Sequence, residues 1–123
     1  MNLAEYNEFC ASLASATYVQ QWGGAHVWKV GGKVFAISGW SNGVEHSEPL
    51  ITFKCTPLSY DILKDQEGMR PAPYLASRGM KWIQVMDHSV IGDDGVRAYI
   101  SQSHKMIAEK LPKKLKAELA LKL

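Results

Sequence analysis

Gly31-Gly32 separates two extended runs, Val27 to Val30 and Lys33 to Ser38, and so short a link decides how those runs can pair. A two-residue turn joins antiparallel strands, because both central residues take positive φ and glycine does so without strain. A parallel pair needs a crossover of roughly a dozen residues or more, for which this part of the chain has no room. A phosphate-binding loop is the other use of glycines ending in lysine. It requires a helix directly behind the lysine, whereas Lys33 leads into Val34, Phe35, Ala36, Ile37 and Ser38, and the motif's spacing is also wrong.

The rest of the chain agrees with an antiparallel meander flanked by helices. Asn2 with Glu5 three residues on forms a capping box, and Leu3, Tyr6, Cys10 and Leu13 share a face, predicting a helix from Leu3 to Ser15. Thr17, Tyr18, Val19 and Trp22 predict a strand closed by Gly23 and Gly24. Ser41-Asn42-Gly43 supplies a second hairpin turn, and Leu50 to Cys55 a fourth strand with Ile51 and Phe53 on one face. Thr56-Pro57 caps and starts a helix to about Gln66. The connector from Glu67 to Trp82 follows, then a strand from Lys81 to Asp87. Asp93 or Asp94 is expected to cap a long helix on which Val96, Tyr99, Ile100, Ser103, Ile107 and Leu111 share a face, and Pro112 to open a last helical turn. The expected fold class is therefore α+β, an antiparallel sheet with helices packed on one face, in one domain spanning 1–123.

Composition bounds the function. At 123 residues and 46% hydrophobic the chain can bury a core without disulfides or a metal. Glu5 and Glu8 precede any apolar run and no window is long enough to span a membrane, so the expectation is a cytoplasmic protein with no membrane partner, monomeric by default. Cys10 and Cys55 form no close-spaced motif. The net charge of +2 is small but unevenly placed. Lys105, Lys110, Lys113, Lys114, Lys116 and Lys122 face only Glu109 and Glu118 from His104 onward, a tail of net +4 able to attract phosphate or an acidic partner. A solvated helix face with lysines near its C-terminus accounts for the same charges.

The runs FKCTPLSYDILKD, EGMRPAPYLASRGMKWIQV and SQSHKMIAEKLPKKLK, with WGGAHVWKVGGKVFAIS before them, resemble the MmcQ/YjbR family of small bacterial proteins over nearly the whole chain. The resemblance implies a CyaY-like, frataxin-like arrangement of helices on one face of the sheet. It also implies DNA binding, a description resting on a double-wing shape, and it brings no catalytic residues.

Enzyme chemistry has little to stand on. His26, His46, His88 and His104 lie on different elements without zinc spacing, and Glu5 and Glu8 are too few for an acidic iron-binding ridge, so no metal and no cofactor is expected. Asp87, His88 and Ser89 adjoin in print, but strand alternation would turn His88 away. Two binding readings remain. In the first, Lys33, Arg70, Lys110, Lys113 and Lys114 contact DNA phosphates, with Gly31-Gly32 and Asn42-Gly43 as wing tips. In the second, Arg70, Tyr74, Trp82 and His104 line a small-molecule or protein-binding pocket between the connector and the last long helix. Against the second stands a purely structural use of the connector, in which Tyr74, Leu75 and Trp82 plug the core and Arg70 and Arg78 sit in solvent.

Overall fold

The computed structural model describes residues 1–39 and 48–119; the turn expected at Ser41-Asn42-Gly43, with His46, lies outside the described residues. In chain order the elements are α1 (Leu3–Ser12), β1 (Ala16–Gln21), β2 (Ala25–Val30), β3 (Lys33–Ser38), β4 (Ile51–Lys54), α2 (Pro57–Leu63), β5 (Met69–Pro71), β6 (Trp82–Val85), α3 (Gly92–Glu109) and α4 (Lys113–Glu118). The six strands form one sheet in the order β1-β2-β3-β4-β6-β5, antiparallel at each pairing. The α+β expectation holds, with one strand more than the sequence predicted. The connector contributes β5, an edge strand whose Arg70 and Pro71 pair with Gln84 and Ile83. Proline is tolerated there because an edge strand can leave one side of its backbone unpaired.

Local signals set most element ends. Asn2 accepts from the Glu5 amide at 2.8 Å while the Glu5 carboxylate accepts from the Asn2 amide at 3.0 Å. The Thr56 hydroxyl accepts from the Ser59 amide at 3.1 Å, with Pro57 beginning α2. Gly31 and Gly32 take φ of 57° and 79°, as the tight turn between paired Val30 and Lys33 requires. The start of α3 differs from expectation. Ile91 stands at its cap position without a side-chain bond, and Asp93 and Asp94 fall within the first turn, where carboxylates still suit the helix dipole.

All four helices lie against one face. Tyr6 and Cys10 of α1, Leu63 of α2, and Val96, Ile100 and Ala108 of α3 join Trp28, Val30, Phe35, Ile51, Phe53, Ile83 and Val85 in one core, with Leu115 of α4 and Leu119 directly after it at the margin. Phe53 stacks on Tyr99 at 5.2 Å between ring centres. The sheet's other face has its own smaller cluster, Ala25, Val27, Ile37, Trp82 and the connector's Ala72, with Leu75 packed on it. That is why β6 is buried on both sides.

A bulge in β3 couples sheet to helix. Trp28 pairs with Ala36 and Lys29 with Val34, leaving Phe35 as the extra residue, so Phe35 and Ala36 both reach the helix-side core. The β3–β4 pairing begins only at Ala36 and Phe53. Beyond it the Ser103 hydroxyl of α3 bridges the strands, donating to the Phe35 carbonyl at 2.7 Å and accepting from the Lys54 amide at 3.0 Å.

Candidate functional site

The first hairpin and the basic end of the chain meet. A Cβ placed on Gly31 would lie 2.6 Å from Leu111 Cδ1 and 3.2 Å from Leu115 Cδ2, so the leucines between the terminal lysines seat directly on the turn. Lys33 follows that turn, Lys110 precedes Leu111, and Lys113 and Lys114 begin α4. The structure thus brings Lys33, Lys110, Lys113 and Lys114 to one end of the molecule and adds Lys54, which sequence reasoning missed. Burial pulls the Lys54 ammonium below its ordinary pKa, and the adjacent Lys110 ammonium pulls it further.

Among the described residues no carboxylate pairs with any of these five lysines. Several other cations are engaged: Lys64 faces Asp61, Lys105 faces Glu109, Lys116 donates to the Glu109 carbonyl, and Lys81 lies over the Tyr60 ring at 4.9 Å. Ammonium groups held together without a counter-charge repel one another, and a bound anion would relieve that repulsion.

Arg70 is not brought to the lysines. It stands on β5, at the sheet edge away from the first hairpin, and its Nε donates to Gln84 Oε1 at 2.7 Å. Gln84 is wholly buried and its amide nitrogen donates to the Gly39 carbonyl at 3.3 Å. Nor does the sheet bring together the four residues of the second reading. Trp82 is buried in the cluster opposite the helices. His104 is on the helix side, its Nε2 2.8 Å from the Ala14 carbonyl oxygen and its ring edge-on to Phe35.

Tyr74 is not a core plug, being 64% exposed; Leu75 and Trp82 fill that structural role. Instead Tyr74 and Leu75 line a cleft of about 510 Å³ with Arg78 and with Trp22 from the β1–β2 turn. The fifty-odd residues between Trp22 and Tyr74 gave no spacing signal by which the sequence could have joined them.

Two other clusters have internal explanations. Glu48, His88 and Asp93 offer ligand atoms within 4.8 Å of one another. The Met1 ammonium already inserts there, donating to Glu48 and, at 2.8 Å, to Asp93. Burial works against that ammonium's charge, but its bonds to Asp93 and Glu48 outweigh burial and raise its pKa above the ordinary value. Asp87, His88 and Ser89 do not form a triad. Asp87 caps a short 3-10 turn, accepting from the Ser89 amide and hydroxyl, while His88 turns inward with Nε2 2.8 Å from the Pro49 carbonyl oxygen. Cys10 and Cys55 are buried, and burial pushes both thiols up to about 12, away from the reactive thiolate range. No described helix is long and apolar enough to cross a membrane.

Comparison with known proteins bears on the fold. The family model described as YjbR matches residues 11–106. The structure is similar to that of Deinococcus radiodurans protein DR2400, which carries a DUF419 domain, with a TM-score of 0.82 and 16% identity over 98% of this chain and 89% of that one. It is also similar to a protein from Pseudomonas syringae, with a TM-score of 0.67 and 17% identity over 87% of this chain and 99% of that one. No curated protein matches the sequence. At these identities the neighbours speak for the fold alone, and the frataxin-like analogy stays an implication of the sequence resemblance.

Proposed function

The chain belongs to the YjbR family, and from the residues gathered at one end of that fold we propose that it binds DNA, through phosphates and without base-specific contacts. The observation that carries this reading is the Lys54–Lys110 juxtaposition, two ammonium groups side by side with no described carboxylate between them. Lys33, Lys113 and Lys114 extend the same end, held to it by Leu111 and Leu115 on the Gly31 turn.

Lysine suits this role because it is a compact charge on a flexible stem, able to follow a phosphate backbone without requiring one geometry. Binding of this kind releases counterions, so affinity falls with salt by about 0.9 log units per log unit of salt for each phosphate neutralised. Arg70 lies outside the patch and is assigned to Gln84 instead. Titration of a labelled duplex across a salt series tests the proposal, and Lys54→Gln with Lys110→Gln locates it.

A further inference from the structure

Two aromatic residues with strained backbones meet across the cleft on the sheet's other side. Among the described residues only Ser15, Trp22 and Tyr74 combine positive φ with a side chain, and two of the three, Trp22 at 53° and Tyr74 at 68°, line the same cavity. A bulky residue in the left-handed region costs about 1–2 kcal/mol relative to glycine. Gly23 and Gly24 take positive φ directly after Trp22, so the chain uses the cheaper residue beside that strained one. Both aromatic side chains stay more than half exposed, which leaves ring surface accessible from solvent.

The cavity has the size and chemistry of a small-ligand site. Its volume of about 510 Å³ falls within the range of about 300–1,000 Å³ usual for such pockets. Two aromatic rings offer π faces, Leu75 an apolar wall, and Arg78 a guanidinium. Arg78 has no carboxylate partner among the described residues. Leu75 is fixed to the sheet by the Ala25, Val27, Ile37, Ala72 and Trp82 cluster, so one wall of the cleft rests on a rigid base. The backbone around it is also tied down: Ala72 N–H donates to the Trp82 carbonyl at 2.9 Å, and the Ser77 hydroxyl to the Tyr74 carbonyl at 3.0 Å.

We infer that the cleft formed by Trp22, Tyr74, Leu75 and Arg78 binds a small planar aromatic molecule carrying one anionic group, the ring stacking on Trp22 or Tyr74 and the carboxylate or phosphate accepting from Arg78. This site lies apart from the lysine end and does not depend on DNA binding. Planar acids of both sources share the chemistry: indole-3-acetate presents it with a carboxylate, and adenosine monophosphate with a phosphate. Their neutral counterparts, indole-3-acetamide and adenosine, present the ring alone.

The test is titration of the 15N-labelled full chain with these four probes to about 5 mM, a concentration that reaches the millimolar affinities expected of fragments. At least one acid should shift the Trp22 indole and Tyr74 amide resonances and bind more tightly than its neutral counterpart. Arg78→Gln should weaken that acid by about tenfold, the size of one charge-assisted hydrogen bond, and leave the neutral counterpart unchanged. Tyr74→Gly or Trp22→Gly removes one ring from the cleft, and at least one of the two should weaken the acid and its neutral counterpart alike. The proposal is overturned if none of the probes moves the Trp22 or Tyr74 resonances, if Arg78→Gln leaves acid binding intact, or if Trp22→Gly and Tyr74→Gly both leave binding intact.

Discussion

The Ser103 hydroxyl donates to the Phe35 carbonyl at 2.7 Å, from a wholly buried position on the longest helix to the bulged residue of the third strand. The same oxygen accepts from the Lys54 amide. One side chain therefore satisfies two backbone groups where β3 and β4 stop pairing, and it fixes Lys54 beside the helix that carries Lys110.

Ser103→Ala removes that bridge and leaves a buried carbonyl and a part-buried amide without their partner. Each unsatisfied group costs about 1–3 kcal/mol. Urea denaturation should show the variant destabilised by about 2 kcal/mol or more. A loss of only a few tenths would mean that β3 and β4 close the gap by themselves.

Gly31→Ala tests the seat of the terminal leucines. The added methyl group would meet Leu111 Cδ1 at 2.6 Å on a backbone with φ of 57°. Strain and displacement act together, so a cost of about 1–3 kcal/mol is expected. Gly32→Ala is the control, since its Cβ meets nothing within 4 Å while its φ of 79° carries the same kind of strain. Equal losses at the two sites would remove the leucine contact from the account.

The Met1–Asp93 ion pair sets a pH window. A hydrogen bond from the Met1 ammonium holds the Asp93 carboxyl below its ordinary 3.8, so its contribution is present above that value and is lost as pH falls through the folded-state pKa. The ammonium is held above its ordinary 8.0, so its contribution is present below that value and is lost as pH rises through the folded-state pKa. The pair is complete between about pH 4 and 8. Denaturation midpoints measured across pH should fall on both sides of this window in the 123-residue chain, and Asp93→Asn should flatten the acid limb. Superimposable profiles would exclude the pair as a source of the pH dependence.

What could be read from sequence was what short-range chemistry determines. The Gly31-Gly32 turn, the Asn2–Glu5 box and the Thr56-Pro57 start each need only neighbouring residues, and all three hold. The strand Met69–Pro71 did not show itself because its proline argues against a strand, and only pairing with Trp82–Val85 makes it one. The lysine-rich ending was visible as composition, but Lys54 joins it through the Ser103 bond, which links residues 49 apart. The exposure of Tyr74 was not legible, because an aromatic residue between apolar neighbours fits a core as well as a pocket wall, and its left-handed backbone has no signature in a non-glycine residue.

The most direct test of the central claim is the salt dependence of duplex binding, read by fluorescence anisotropy with a short labelled DNA. If four or five lysines meet phosphates, the slope of log Kd against log salt should lie at about 3.6–4.5. Lys54→Gln with Lys110→Gln should lower it by about 1.8, while Arg70→Gln leaves it unchanged. The lysine pair's removal should not destabilise the free protein, because it relieves a repulsion. Absence of binding at about 20 mM salt, where phosphate contacts are strongest, or a slope unmoved by the double substitution, would contradict DNA binding at this end of the molecule.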